Sequence, residues 1–438
     1  MKKLLAILLA ASMLLGMTGA LAATEYDVTE PITIEWWHAH EDQFTPYIDY
    51  MVNRFNEENG MGITVVPVYK GSYTDINTEF IAADAAGTLP AIVCCNTSYP
   101  AGYGAAGLCE VLDPYIDAFE YDVEDFGEGL IASTSYDDEQ ICLPYLISTQ
   151  CLYYNKTAAE KEGIELPKTL DEMEAFLEKA TIFNEDGTTA RYGAVFGGWD
   201  YWYHEMLFKN NGVQIVTEDG KTDVNSEMSI AINTKIQEWI KKGYAYYAYG
   251  TGASSNMRDL FVAGGAMCVF HTSSLYNTYK SKVDAYYAEN PDGKFEVGMA
   301  WLPGGYDHES FKSEVGGSAI FIPAKASQAQ KNAAWQFMMF MTSPEINLYW
   351  ADKTGYFPTK ASVKGTPEYA AYIEAQPAMT AIIDNSSLIN PRNQNPSYDT
   401  CANLWRHALA KIYNEGADVT ETLNQLAIEI QETLDAAN

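Results

Sequence analysis

Strand-like and helix-like segments alternate at the start of the chain, and this order constrains the fold more than any other feature. Residues 32–37 and 63–68 are short runs rich in β-branched residues, and residues 89–95 form a third apolar run. Between them, apolar residues recur every three or four positions over 44–55 and over 73–86, which indicates amphipathic helices. A β-α-β-α-β order of this kind is typical of a parallel, doubly wound sheet.

The pattern changes after residue 141. An extended run over 146–154 leads into helical segments, and from residue 328 the chain is almost wholly helical. A second group of strands is predicted at 266–270, 295–301 and 318–322. A chain of 438 residues is long enough to bury two cores. The sequence therefore predicts an α/β protein whose two lobes exchange segments.

The first 22 residues have the features of a secretory signal peptide. Lys2 and Lys3 precede an apolar stretch over 4–15, which is too short to span a bilayer comfortably. Small residues follow and end at an A-x-A site, where cleavage is expected after Ala22 or Ala23. No cysteine follows the apolar stretch, so no lipid anchor is expected. We predict an exported protein, periplasmic or extracellular, that is soluble after cleavage.

The charge balance narrows the range of partners. The chain carries 59 acidic against 27 basic residues, a formal net charge of −32. Such a surface repels phosphate backbones and anionic bilayers, which disfavours binding to nucleic acids or lipid surfaces. Aromatic and aliphatic residues are plentiful throughout, which excludes a disordered chain. We expect a monomer without a cofactor.

The cysteines follow no metal-ligand spacing, because C-x-x-C is absent. They are Cys94, Cys95, Cys109, Cys142, Cys151, Cys268 and Cys401. Export would permit disulfides, but the number is odd and several lie in apolar strand-like runs such as 91–95. We predict buried free thiols and no metal site.

His38 and His40 stand at the end of the first predicted strand, where alternate histidines can chelate a divalent metal, as in barrel hydrolases. Such a site needs further ligands after later strands, and only His271 follows a predicted strand closely. A secreted metal-dependent hydrolase is thus a remote alternative, and a polar loop at the carboxyl edge of a sheet is favoured. Because no nucleophile–base set or phosphate loop occurs, we expect no catalytic residue and no enzyme.

Aromatic residues recur beside Gly, Asn and Ser in predicted loops. The main examples are residues 36–38, 71–73, 197–203 and 354–358. Aromatic faces stack on the C–H faces of sugars, while Asn, Ser and backbone amides supply hydrogen bonds to hydroxyls. This composition is typical of a polyol pocket.

Several short motifs are specific when they occur in this order. They are Leu-Tyr-Tyr-Asn-Lys at 152–156, Pro-Lys-Thr at 167–169, Ala-Met at 266–267 and Lys-Thr-Gly-Tyr-Phe-Pro at 353–358. Over nearly the whole mature chain, the sequence resembles the extracellular solute-binding proteins of ABC importers, family 1, which bind sugars or glycerol-3-phosphate. The resemblance implies a two-lobed periplasmic-binding-protein fold, in which each lobe is a doubly wound sheet flanked by helices and the C-terminal region is helical.

The resemblance also implies where the chain crosses between the lobes: near 143–145, near 265–266 and just after Pro323. The N-terminal lobe would then comprise 23–144 plus 267–322, and the C-terminal lobe 145–266 plus 323–438. Ligand capture by lobe closure and delivery to the membrane permease subunits of the importer are the implied function.

The implied ligand site lies at the facing edges of the lobes. The positions that match the family's ligand contacts are Tyr73, Asn96, Ser148, Trp199, Ser274, Gly317 and Tyr356, with Trp37, His40 and Glu41 as further lining. Glycerophosphate binders of the family have an acid where this chain has Asn96, and a phosphate-binding arginine where it has Ala402. A guanidinium is the expected means of holding a buried phosphate. The prediction is therefore a sugar or oligosaccharide ligand, with glycerol-3-phosphate or a glycerophosphodiester, held by Arg392, as the alternative.

Overall fold

The computed structural model describes residues 25–40, 42–289, 291–308, 312–383 and 389–437. The predicted signal peptide and Glu41 lie outside these ranges. Across the described ranges, every helix is too short or too polar to cross a bilayer.

The strands are β1 (Ile32–His38), β2 (Ile63–Tyr69), β3 (Ile92–Asn96), β4 (Ser135–Tyr136), β5 (Glu139–Gln140), β6 (Leu143–Ser148), β7 (Gln150–Asn155), β8 (Ile182–Phe183), β9 (Thr189–Gly197), β10 (Ala245–Ala248), β11 (Ala266–Thr272), β12 (Val297–Ala300), β13 (Ser313–Glu314), β14 (Gly316–Phe321) and β15 (Ile389–Asn390). The helices are α1 (Thr45–Glu58), α2 (Tyr73–Ala86), α3 (Pro100–Ala105), α4 (Asp113–Ala118), α5 (Glu128–Ala132), α6 (Lys156–Glu162), α7 (Met173–Ala180), α8 (Trp202–Lys209), α9 (Glu227–Lys241), α10 (Ala253–Val262), α11 (Tyr276–Tyr286), α12 (Gln328–Met341), α13 (Pro344–Lys353), α14 (Pro367–Ala375), α15 (Pro377–Ile383), α16 (Tyr398–Asn414) and α17 (Val419–Ala437).

The first sheet has the strand order β2-β1-β3-β14-β6. β1 is parallel to β2 and β3, whereas β14 is antiparallel to both β3 and β6. The alternation predicted for residues 32–95 is confirmed, because β1, α1, β2, α2 and β3 follow one another as expected. The carboxyl ends of β3 and β6 and the amino end of β14 meet at one edge of this sheet.

The second sheet has the order β10-β9-β11-β7-β12, and β8 pairs with β9. β9 is parallel to β10 and β11, and β7 is antiparallel to β11 and β12. The carboxyl ends of β9, β10 and β11 therefore share an edge with the amino end of β7. β6 passes into β7 through one residue, Thr149, so this edge adjoins the site edge of the first sheet.

Sheet and core membership differs from the expected division of the chain at several elements, among them β6, whose residues 145–148 were assigned to the C-terminal lobe but pair in the first sheet. β11 and β12 fall within 267–322, which was assigned to the N-terminal lobe, but they pair in the second sheet. β11 is a central strand of that sheet, with β7 on one side and β9 on the other. α12 falls within 323–438, yet its apolar face packs on β1 in the first core.

Several buried cores support the two sheets. The first core, on the first sheet, contains Trp36, Met51 and Trp335, and a core on the second sheet contains Trp239 and Trp405, all of them almost fully buried. The predicted free and buried state of the seven cysteines is confirmed.

Candidate ligand-binding groove between the two sheets

Three predicted site residues lie on neighbouring strands at the edge where the first sheet faces the second. Ser318 of β14 is opposite Asn96 of β3, Gly317 is opposite Ile147, and Gly316 is opposite Ser148 of β6. Because β6 leads directly into β7, this edge stands next to the loops that follow β9 and β11. The space between these two edges is the groove considered below.

Tyr73 is fixed in the first wall of the groove. Ser72 caps α2, because its side chain accepts a hydrogen bond from the Asp75 amide at 3.2 Å while the Asp75 carboxylate accepts from the Ser72 amide at 2.8 Å. The hydroxyl groups of Tyr73 and Ser318 lie 2.5 Å apart. Burial raises the pKa of Tyr73, so the residue stays a neutral phenol.

Asn96 presents its amide nitrogen at the end of β3. Its side-chain oxygen accepts hydrogen bonds from the amide and the hydroxyl of Ser98, at 3.0 and 3.2 Å. This pairing fixes the side-chain orientation and leaves the NH2 group, a hydrogen-bond donor, for a ligand. Asn96 itself is partly exposed.

Two glycines bring the backbone of β14 close to its neighbours. Gly317 has φ +99°, and a Cβ atom there would lie 1.9 Å from the Leu146 carbonyl oxygen. A Cβ atom at Gly316 would lie 2.3 Å from the Trp202 ring and 3.1 Å from the Ser148 hydroxyl. The close approach of Trp202, from α8, to β14 therefore requires glycine.

An aromatic group forms the second wall. The ring of Trp199 is partly exposed and lies 5.0 Å from Tyr203 and 5.3 Å from His271, centroid to centroid. His271 is buried, and its Nδ1 is 3.0 Å from the Tyr279 hydroxyl. Burial lowers the pKa of His271 to about 3, so the imidazole is neutral. These contacts fix the Trp199 ring with one part open to the groove.

The predicted residues Ser274 and Tyr356 lie on two turns that touch. The hydroxyls of Ser274 and Thr272 are 2.9 Å apart at the end of β11. A Cβ atom at Gly355 would lie 2.2 Å from the Ser273 carbonyl oxygen, so the turn that contains Tyr356 packs directly on this loop. The structure thus places the turns that carry Ser274 and Tyr356 in direct contact.

Arg392 lies in a buried charge cluster, which consists of Glu205, Lys209, Glu314 and Arg392. Its guanidinium is 3.3 Å from Glu314 and donates to the Tyr201 hydroxyl at 3.2 Å. Lys209 also pairs with Glu314 and lies 3.6 Å from Glu205. The structure therefore places this predicted ligand residue in an internal ion pair.

Trp37 and His40 are not brought to the groove. The Trp37 indole N–H donates to Glu35 at 3.0 Å, and Lys70 covers the ring at 4.1 Å. His40 is buried among aromatic rings that include Trp350, and burial lowers its pKa to about 3. Both side chains are buried because the carboxyl end of β1 is covered on both faces.

The histidine pair does not have the geometry of a chelate. The rings of His38 and His40 are stacked, with centroids 5.6 Å apart and planes 16° apart, and the His40 amide donates to His38 Nδ1 at 3.3 Å. Within the ranges that the structure describes, no three His, Cys, Asp or Glu side chains are grouped to hold a metal ion.

Two carboxylates at the groove were not predicted from the sequence. Asp200 accepts a hydrogen bond from the Trp202 amide at 3.0 Å, and Asp399 lies 3.4 Å from the Tyr201 hydroxyl and 3.5 Å from the Ser98 hydroxyl. Burial, followed by the charge of Asp200, raises the pKa of Asp399. Asp200 stands inside the aromatic run at 197–203, which was a usable signal, whereas no local motif marks Asp399.

Comparison with known proteins identifies the family. The family profile described as bacterial extracellular solute-binding protein matches residues 50–380. The chain belongs to this family. As a solute-binding protein, it is the component of an ABC importer that binds a small molecule and delivers it to the permease, and members of the family are binding proteins rather than enzymes.

Relatives of this solute-binding protein include the sn-glycerol-3-phosphate-binding periplasmic protein UgpB of Pectobacterium atrosepticum, 27% identical over 82% of this chain and 78% of the relative. UgpB from Mycobacterium tuberculosis, solved with glycerophosphocholine, is similar with a TM-score of 0.80 and 21% identity over 93% of this chain and 99% of that one. The GacH receptor of Streptomyces glaucescens, solved with acarbose, has a TM-score of 0.77 and 19% identity over the same shares. The two-lobed fold is thereby confirmed, and the predicted extracytoplasmic location agrees with the family.

The buried charge cluster makes the stability of this solute-binding protein depend on pH. Burial, followed by the charge of Glu314, raises the pKa of Glu205 to about 7. Since an unfolded glutamate loses its proton near pH 4.3, the native state holds the extra proton between about pH 4.3 and 7. The contribution of Glu205 to stability is therefore fully present below this window and is lost as the pH rises through 7.

We expect the wild type to lose stability relative to Glu205→Gln between pH 5.5 and pH 8. Urea unfolding at both values measures the difference, in which groups shared by both proteins cancel. Glu218→Gln, an exposed acid outside the cluster, serves as the control and should leave the pH curve unchanged. Parallel curves for wild type and Glu205→Gln would show that Glu205 does not keep its proton.

Proposed function

We propose that the protein captures a sugar or oligosaccharide in the groove and delivers it unaltered to the permease. One observation carries the proposal: a partly exposed aromatic ring and neutral hydrogen-bonding groups lie at the facing edges of the two sheets, while the nearby guanidinium is occupied. The ring is that of Trp199, the neutral groups are those of Asn96 and Ser274, and the guanidinium is that of Arg392. Ring faces and neutral donors are what a polyol requires.

Capture would proceed by closure of two lobes, one built on each sheet. The sheets are joined at Thr149 and by the segment that contains β13, where Ser313 donates to the Gln150 side chain at 2.5 Å. A ligand that touches both walls favours the closed state by its extra contacts there. We assign β11 and β12 to the lobe of the second sheet and α12 to the lobe of the first.

Glycerol-3-phosphate or a glycerophosphodiester is the second candidate, and the relatives favour it, because several bind sn-glycerol-3-phosphate by name. Buried phosphate is usually held by a bidentate arginine. Here Ala402 is buried at the matching position, and Arg392 is paired with Glu314. The phosphate ester therefore ranks second to the neutral sugar.

A metal-dependent hydrolase receives no support from the site. His38 and His40 stack in a core, and burial lowers the pKa of His38 to about 4. We therefore infer that this protein, like its family, performs no covalent chemistry on its ligand.

Replacement of Trp199 by alanine should weaken ligand binding by about 1–3 kcal/mol if its ring stacks on the ligand. Isothermal titration calorimetry with the ligand that a thermal-shift screen identifies measures the change in affinity. Tyr286→Ala is the matched control, because this ring is 57% exposed and lies on α11, away from the groove. Equal affinity of wild type and Trp199→Ala would remove Trp199 from the site.

The ligand class is tested by thermal shift against maltotriose, mixed oligosaccharides, glycerol-3-phosphate and glycerophosphocholine. A true ligand at one hundred times its Kd stabilises the native state by about 2.7 kcal/mol. X-ray scattering with and without that ligand should show compaction. No shift with any compound, a rigid shape in scattering, or turnover of a bound compound would overturn the proposal.

A further inference from the structure

We propose that the ligand carries a positively charged nitrogen, which Asp200 and Asp399 recognise together in the groove. This inference rests on the proposed function and specifies its ligand as an aminated sugar or polyol. Asp200 stands at the start of α8, and Asp399 stands in the first turn of α16.

Among the described residues, the two carboxylates have hydrogen bonds but no ion pair. Asp200 accepts from the Trp202 amide, and Asp399 accepts from the Asn403 side chain at 3.2 Å. The contacts of Asp399 with Tyr201 and Ser98, at 3.4 and 3.5 Å, are long. In the part of the chain that the structure describes, neither carboxylate forms an ion pair with a lysine or an arginine.

The nearby cations are used elsewhere. Lys209 and Arg392 both pair with Glu314, and Lys209 also lies near Glu205. Four carboxylates therefore share this region with two cations. Asp200 and Asp399 carry the remaining negative charge: burial and the charge of Asp200 raise the pKa of Asp399, and the charge of Arg392 offsets only part of that effect. A cation between them would relieve that repulsion, whereas a phosphate would increase it.

A second observation at the same wall also indicates a ligand. The Trp202 side chain is 5% exposed, and its indole N–H has no hydrogen-bond partner among the described residues. The six-membered ring of that indole lies against Gly316. The Ser148 hydroxyl, which belongs to the predicted site, lies beside the same glycine. A buried donor without a partner costs free energy, so a ligand oxygen here would be favoured.

Aromatic faces complete the surroundings of the proposed subsite. Trp199 directly precedes Asp200 and is partly exposed, and Tyr99 is close enough to both carboxylates for them to raise its pKa, after burial. Aromatic faces attract ammonium groups as well as sugar C–H groups. The combination of two carboxylates, open rings and an indole donor fits a body of hydroxyl groups that bears an amine.

The test uses matched ligands in which N-acetylation removes the positive charge and adds an acetyl group, and the dependence on salt and on the two aspartates separates charge from size. Glucosamine oligomers of one to three units are compared with their N-acetylated forms by calorimetry at pH 6, where the sugar amines are protonated, at low and at high salt. We expect the amines to bind at least tenfold more tightly than the acetylated forms, with a difference that shrinks at high salt. Asp200→Asn and Asp399→Asn should each weaken the binding of the amines at least tenfold. The same variants should change the affinity for the acetylated forms less than threefold.

Asp138→Asn is the control for net charge, because Asp138 is an exposed residue in the turn between β4 and β5. It should leave both affinities unchanged.

Equal binding of amine and acetylated forms, or equal weakening of both by the aspartate variants, would overturn the inference, since the carboxylates would then bind hydroxyl groups. Binding of maltotriose or glycerol-3-phosphate in place of any amine would also overturn it while leaving the proposed solute-binding function intact. Binding of no compound would overturn both.

Discussion

Replacement of Glu314 by glutamine should lower the free energy of unfolding by about 3–5 kcal/mol, because it removes the shared partner of two buried cations. Glu314 is 2% exposed, and it pairs with both Lys209 and Arg392. After the change, only Glu205 remains to balance the two cations, so at least one buried positive charge is left without a carboxylate partner. Glutamine keeps the shape and the hydrogen-bonding oxygen, so the loss measures charge rather than volume.

Urea unfolding at pH 7 measures this effect, with Glu218→Gln as the control. Glu218 is exposed, so its neutralisation should change stability by less than about 0.5 kcal/mol. Arg392→Met should cost less than Glu314→Gln, because Lys209 remains to pair with Glu314. If Glu314→Gln costs under 1 kcal/mol, the cluster is not a buried ionic network and Arg392 is again available to a ligand.

The start of the fold was predictable because its signals are local. The helix at 44–55 and the strands around it follow from side-chain periods of 3.6 and two. The partners of β11 were not predictable in this way. Its sequence, Ala266 to Thr272, is apolar on both faces and would suit a central strand in either sheet. Only contacts with β7 and β9, made far along the chain, decide between the two.

The site shows the same division between local and long-range information. Positions such as Tyr73 and Asn96 were placed through the family resemblance, and the structure brings them to one sheet edge. Arg392 looked available because its partner, Glu314, is 78 residues away in the sequence. Trp37 was expected to line the ligand site from the end of the first strand, but the last three residues of β1 are all buried, whereas Thr33 and Glu35 nearer its start are exposed. Asp399 is recognised as a site residue only by its position in space near Asp200 and Tyr201, because no local sequence motif marks it.

Replacement of Gly317 by alanine should lower the free energy of unfolding by about 3 kcal/mol or more. A residue with a side chain at φ +99° is strained by about 1–3 kcal/mol, and here the new Cβ would also lie 1.9 Å from the Leu146 carbonyl oxygen. That oxygen belongs to the backbone of β6, so the β14–β6 pairing must shift to make room. The Gly317 carbonyl accepts from the Thr97 amide at 3.4 Å, so the loop that carries Asn96 and Ser98 would move as well.

In Gly317→Ala, the free energy of unfolding, measured with urea, and the ligand affinity, measured by calorimetry, should therefore both decrease. Gly365→Ala is the matched control, because no atom lies within 4 Å of its new Cβ and its φ is not positive. This control should stay within about 0.5 kcal/mol of wild type and bind ligand normally. A Gly317→Ala protein of unchanged stability would mean that β14 does not run this close to β6. If such a protein lost only its affinity, Gly317 would act through direct ligand contact rather than through the position of the strand.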